Sequence, residues 1–315
     1  MKRITNTFKA TVASVAISAA MMMAAPAFAA DPLVDVEWLK SNLGAENMVV
    51  VDARGSTDYL RGHIPGAVNT NYGKDGWRVK ADGVPGVFPA DPSKLAEVIG
   101  NLGIGNDTHV VLVAPGNSSS DMGTATRMYW TFKVLGHDNV SVLNGGMAAY
   151  LKAVDDKGNP TNPLEKGAAE VTAASFAVDL QEEMLIDEAD VTAAIEAGAL
   201  PVDNRTADQY LGVNRHGRSK ASGTIPGAVN LPQSWTTKNG GGTFRDAATL
   251  AKLYEAAGVP TEGPQVSFCN TGHWASIGWF VSSEILGNKE AQLYDASMTG
   301  WTAEDMPMEQ QIAAE

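Results

Sequence analysis

The chain has 315 residues, 44% of them hydrophobic and 19% charged, a balance that carries a sizeable core and excludes disorder along the whole length. At about 150 residues per domain it predicts two domains, and a net charge of −13 argues against a nucleic-acid or anionic-membrane binder, which needs a basic surface. One cysteine, Cys269, excludes an intrachain disulfide framework and any multi-cysteine metal centre, and leaves one thiol to explain.

Residues 1–29 open with Lys2, Arg3 and Lys9, run apolar from about Ala10 to Ala25 and end in Ala27-Phe28-Ala29, the pattern of a secretory signal peptide. The run is short and alanine-rich for a membrane span, and Asp31-Pro32 follows at once. Cleavage after Ala29 removes the three basic residues and takes the mature chain from −13 to −16. The expectation is a soluble periplasmic or secreted protein in an oxidising compartment, where a thiol must be buried or used.

The remainder is one unit written twice. Val51-Asp52-Ala53-Arg54, Tyr59 and His63-Ile-Pro-Gly-Ala-Val-Asn69 recur as Val202-Asp203-Asn204-Arg205, Tyr210 and Thr224-Ile-Pro-Gly-Ala-Val-Asn230, with an extra stretch between Tyr210 and Ile225 in the second copy. In the first copy, Met48–Val51 and Val110–Val113 are predicted buried strands separated by a helix from about Pro92 to Ile99, with Asp91 as its cap. In the second, residues 200–202 and 265–268 are the matching strands and 247–257 the helix. Strand, helix, strand on repeat predicts an α/β fold of parallel sheets flanked by helices on both faces. The expected organisation is a first domain over 30–155, a linker over 156–174 rich in Asp, Asn, Gly and Pro, and a second domain over 175–315.

Cys269 follows the second predicted strand. Asn270-Thr271-Gly272-His273-Trp274 comes next, then a helical stretch from Ala275 closed by Gly287. At a strand-loop-helix junction, backbone N–H groups and the helix dipole converge on sulfur and favour thiolate or a bound anion. A buried, inert cysteine ending a core strand is the competing view; Gly272, which permits a tight loop, and the lack of any other thiol favour a functional one.

From about Leu33 to Trp301 the chain resembles the rhodanese (sulfurtransferase) family in its tandem-domain form. The resemblance rests on Tyr59-x-x-x-His63-Ile-Pro-Gly-Ala67, its echo Thr224-Ile-Pro-Gly-Ala228, Leu143-Asn-Gly-Gly-Met-Ala-Ala-Tyr150, Leu293-Tyr-Asp-Ala-Ser-Met-Thr-Gly-Trp301 and the loop Cys269-x-x-Gly-x-x-Ala. It implies that Cys269 takes a sulfane sulfur from thiosulfate or 3-mercaptopyruvate, holds it as a persulfide cradled by the N–H groups of Asn270, Thr271, Gly272, His273, Trp274 and Ala275, and passes it to cyanide or a thiol. A protein acceptor is compatible with it; no cofactor, metal or nucleic acid is implied. The first copy has no cysteine and is expected to be a non-catalytic wall of the cleft.

The chain departs from the family pattern at Gln209, where tandem relatives usually place an anion-binding arginine before the aromatic that matches Tyr210. Neutral Asn270 and Thr271 declare neither donor. Arg215 and Arg218 in the extra stretch are candidate replacements, since an arginine fork suits sulfonate or carboxylate oxygens; Asp52-x-Arg54 and Asp203-x-Arg205 most often fix the turn after the strand, which leaves Arg205 a secondary candidate. His273 could serve electrostatically or as a proton carrier; His63 belongs to the Ile-Pro-Gly-Ala turn and is mainly structural, and the resemblance also makes it a candidate interface contact that could pair with Thr271. A cysteine phosphatase would need arginine six after the thiol, where Ala275 stands. An exported persulfide carrier or binding module with little turnover is the alternative to an enzyme.

Overall fold

The computed structural model describes residues 30–312 except Asp82; the expected signal segment, 1–29, lies outside the described residues. The first copy contains β1 (Leu33–Val34), α1 (Val36–Asn42), β2 (Met48–Asp52), α2 (Ser56–Arg61), β3 (Val68–Asn69), a hairpin of β4 (Val79–Ala81) and β5 (Val84–Val87), α3 (Ser93–Asn101), β6 (His109–Val113), α4 (Ser119–Val134), β7 (Val140–Leu143) and α5 (Gly146–Tyr150). The second contains α6 (Glu188–Glu196), β8 (Leu200–Asp203), α7 (Ala207–Tyr210), β9 (Val229–Asn230), α8 (Ala247–Ala257), β10 (Gln265–Phe268), α9 (His273–Trp279), β11 (Ala291–Leu293) and α10 (Ser297–Ala303). The strand orders are β1-β7-β6-β2-β3 and β11-β10-β8-β9, parallel throughout, so each copy is an α/β unit. Continuous apolar runs such as Val110–Val113 form the central strands because helices cover both sheet faces.

The duplication holds at the level of single hydrogen bonds. In the first copy Arg54 binds the Asp52 carboxylate and the Gly62 carbonyl, Tyr59 donates to the Ala67 carbonyl, and Gly66 N–H donates to Glu165. In the second, Arg205 binds Asp203 and the Gly223 carbonyl, Tyr210 donates to Ala228, and Gly227 N–H donates to Glu309. For two residues the turn-fixing reading holds and the site role offered beside it does not. Arg205 is 1% exposed with its guanidinium committed to Asp203 and Gly223, so it pins the turn after β8 instead of offering a fork to an anion. His63 makes no interface contact with the catalytic loop: it stacks on Tyr59, donates from Nδ1 to the Tyr59 carbonyl and faces Glu165. The stretch expected as a linker is a strap on the first copy, bridged to His63 at Glu165 and bonded to Gly100 at Ala174.

The copies meet along α4 and α9. The α4 helix is buried on nearly every side because it lies between its own sheet and the second domain, and one hydrophobic core runs from Trp77 and Trp130 through to Cys269 and Phe280. The helix after the loop does not stay regular to Gly287: it passes into a π-helical turn over Phe280–Ile285, where Glu284 accepts from the Tyr129 hydroxyl of α4.

Cutting Arg205 back to alanine leaves the fully buried Asp203 carboxylate without its cation. Arg205→Ala should therefore lower unfolding stability in urea by about 3–5 kcal/mol, with a smaller loss for Arg54→Ala, whose side chain is the more exposed of the two.

Candidate active site

Cys269 sits at the C-terminal end of β10, 2% exposed. In the second sheet Asp203 pairs with Phe268, and in the first Asp52 pairs with Val113, so the residue after each strand is equivalent: Cys269 in one copy, Ala114 in the other. The same carbonyl contact confirms the match, from Met298 N–H to Cys269 and from Met147 N–H to Ala114.

The loop is drawn in by a serine that the sequence reading did not single out. Ser297 Oγ accepts from the N–H groups of Cys269 (3.0 Å) and Gly272 (3.1 Å), donates to the Tyr294 carbonyl (2.9 Å) and lies 4.0 Å from the Cys269 sulfur. Ser297 has φ of 50°, a conformation unfavourable for a side chain; its counterpart in the first copy is Gly146, φ 55°. The signal was present in the repeat itself, where Gly145-Gly146 aligns with Ala296-Ser297. Gly272 turns the loop at φ 73°, and a Cβ there would strike the Arg127 guanidinium and the Asp295 carbonyl. Of the six N–H groups expected to cradle sulfur, that of Gly272 is taken by Ser297. Those of Asn270, Thr271, His273, Trp274 and Ala275 have no acceptor among the described residues. Consecutive unpaired N–H groups around a left-handed glycine make an anion nest.

The first domain closes over this loop. Arg127 of α4, fully buried, pairs through Nη1 with Asp295, stacks on Trp130 with 4.5 Å from Cζ to the ring centroid, and lies against Gly272. Asp295 also accepts from Phe88 N–H beyond the hairpin at 2.5 Å. Arg78, before β4, donates from Nη2 to the Thr271 carbonyl (2.6 Å) and from Nε to the Gly86 carbonyl (2.9 Å). Neither arginine carries a sequence signature, because only the domain packing brings it to the thiol.

His273 donates from Nε2 to the Ser120 carbonyl (2.9 Å), so Nδ1 accepts from the Tyr72 hydroxyl (3.2 Å). Burial, with the neighbouring Arg78 charge, pushes its pKa down to about 4. It is a neutral imidazole joining the two domains, with both nitrogens engaged. Trp274 donates to the Ser120 hydroxyl (2.8 Å), a second tie to the same turn. Asn270 donates to Gln209 Oε1 (2.8 Å), which fills the place where an arginine was expected. Arg215 and Arg218 are exposed; Arg215 bonds the Ser219 carbonyl of its own loop, and neither contacts the catalytic loop among the described residues. Lys220 fastens that loop to the far end of α10 at Thr302 and Ala303.

The arrangement is one enclosed thiol at a strand end, an amide nest with free donors, and arginines supplied by a neighbouring domain. The family model described as "Rhodanese-like domain" matches residues 35–153 and again 187–304. A protein of Mycolicibacterium smegmatis named "Putative thiosulfate sulfurtransferase" is 34% identical over 276 residues, covering 85% of this chain and 94% of its own. "Sulfur carrier protein TtuD" of Thermus thermophilus is 30% identical, covering 85% and 93%. Among solved structures, SseA of Escherichia coli, described as a 3-mercaptopyruvate sulfotransferase, superposes with a TM-score of 0.69 at 25% identity over 84% of this chain and 98% of its own. With two matched domains, both sheets parallel and the thiol confined to the second, this chain belongs to the tandem-domain rhodanese family of sulfurtransferases.

Proposed function

We propose that the chain is an exported sulfurtransferase that moves sulfane sulfur from a small anionic donor, thiosulfate or 3-mercaptopyruvate, to cyanide or a thiol through a persulfide on Cys269. The observation that carries this is the single thiol at the mouth of a nest with five unpaired N–H groups. The Cys269 thiolate attacks the outer sulfur of thiosulfate; the S–S bond breaks and sulfite leaves with its electron pair. With 3-mercaptopyruvate the C–S bond breaks instead, and the resulting enolate takes a proton from solvent to become pyruvate. In either case the terminal sulfur carries the new negative charge, and the nest stabilises it at fixed geometry. Cyanide or a thiolate then attacks that terminal sulfur and restores the Cys269 thiolate. With no second cysteine in the chain, the acceptor has to come from outside.

A persulfide carrier with little turnover is the second reading, favoured by the near-complete enclosure of the thiol and by the likeness to a protein named as a sulfur carrier. Intact mass separates the readings. Incubation with either donor should add about 32 Da to the wild type and nothing to Cys269→Ala, and cyanide should remove the adduct within a turnover. An adduct that persists in cyanide favours the carrier, and no adduct with any donor removes both.

His273 sets a pH window. Unfolded, it titrates near 6.5; folded, near 4, so the unfolded chain binds the extra proton between these values. Its contribution to stability should be complete above about pH 6.5 and lost as the pH falls toward 4. The urea midpoint of the wild type should fall more steeply across that window than that of His273→Gln. The rate should show no limb near pH 6.5 that disappears in the same variant.

Export is the remaining part of the proposal. N-terminal sequencing of the protein recovered from the periplasm or medium should begin at Ala30.

A further inference from the structure

The two arginines beside the catalytic loop are not equivalent. Arg127 is balanced by Asp295. Arg78 is half-buried and forms no ion pair with any described carboxylate. Its Nε–H and one N–H of Nη2 are spent on the carbonyls of Gly86 and Thr271, while the second N–H of Nη2 and both of Nη1 have no acceptor among the described residues. The remaining acidic group near the loop, Asp121, is held by the N–H groups of Asn117 and Ser118. His273 is neutral, and Asp295 and Asp121 are engaged elsewhere, so Arg78 has no carboxylate in contact with it among the described residues. A partly desolvated cation without a counter-ion is costly unless a ligand supplies one.

The hairpin is shaped to keep this guanidinium in place. Gly86 lies so close beneath it that a Cβ there would overlap Nη2, and the Gly86 carbonyl accepts from Arg78 and, at 3.4 Å, from Arg127. Tyr72 lies under the same group, its ring centroid 5.5 Å from Cζ, and its hydroxyl holds His273. The bond from Arg78 to the Thr271 carbonyl sets the cation on the loop whose N–H groups are unpaired. At the family's usual position for this charge stands Gln209, already bonded to Asn270, and the basic stretch at Arg215 and Arg218 does not reach the loop.

We infer that Arg78, delivered by the non-catalytic domain, is the donor-recognition residue: its fork binds the sulfonate or carboxylate oxygens of the sulfur donor and orients the sulfane sulfur toward Cys269. This rests on the sulfurtransferase reading for its substrate class, but the binding it predicts needs no turnover. Donor affinity then depends on the hairpin of one domain while sulfur transfer depends on the loop of the other. An arginine suits either oxyanion bidentately, whereas a lysine supplies charge without the fork.

The experiment measures calorimetric binding of sulfite and of pyruvate, the products left by the two donors, to the whole protein with its thiol reduced. At least one should bind the wild type, and the one that binds identifies the donor. Arg78→Gln should weaken that binding tenfold or more, about 1.4 kcal/mol, Arg78→Lys should recover part of it, and Arg61→Ala, which removes an exposed charge elsewhere, should leave it unchanged. Donor kinetics should show KM raised at least tenfold in Arg78→Gln, with cyanide discharge of preformed persulfide at the wild-type rate. Equal affinity in Arg78→Gln and wild type, loss only in the double variant Arg215→Ala/Arg218→Ala, or no binding of either anion to the wild type would each overturn the inference. If wild-type Cys269 forms no persulfide while the anion binds through Arg78, it is the enzymatic reading that fails and the anion site that stands.

Discussion

The buried pair of Arg127 and Asp295 is the contact on which the site depends. A guanidinium with no exposure has to be paired, and here its partner comes from the other domain, so the buried charge is satisfied only while the domains stay packed together. The pair also sets local geometry. Arg127 takes the space that a side chain at Gly272 would need, which keeps the loop tight. Asp295 reaches the hairpin at Phe88 and stands two residues before Ser297, the serine that gathers the N–H groups of Cys269 and Gly272. One interdomain ion pair therefore positions the loop, the hairpin and the start of α10 together. The ties from His273 and Trp274 to Ser120 extend the same seam.

This accounts physically for the retention of a domain without a thiol. The two copies keep the same clamp of aspartate and arginine behind the central strand, yet their loops have diverged in how they satisfy their amides. In the first copy the Asp121 carboxylate accepts from Asn117 and Ser118 and fills the place an anion would take. In the second, among the described residues, no side chain does so for Asn270, Thr271, His273, Trp274 or Ala275, and those donors remain for a ligand. The first copy forms a wall beside the loop, bringing two arginines and a tyrosine; the second keeps the thiol.

Much of this was legible in the order of residues. The duplication appeared as a repeated motif at fixed spacing, the parallel sheets as continuous apolar runs with helices between them, and the candidate site as the one cysteine after a strand and three residues before a glycine. All of these are local in the chain, and local patterns are what sequence can carry. Arg205 and His63 could be given a turn-fixing role from their motifs but not freed of a site role, because a charged or titratable residue looks the same whether it binds a ligand or pins a turn; only its partners decide, and those are Asp203 and Gly223 for one, Tyr59 and Glu165 for the other.

The residue sequence by itself determined one thiol, two copies, and which copy carries the thiol, because composition and repetition need no folding to be read. Tertiary structure alone decided what surrounds the thiol. Arg78, Arg127 and Tyr72 lie more than a hundred residues before Cys269, and nothing in their neighbourhoods marks them; they meet the loop because α4 packs on α9 and the hairpin folds across the seam. The positive charges beside the Cys269 loop come through space, from Arg78 and Arg127 of the other domain.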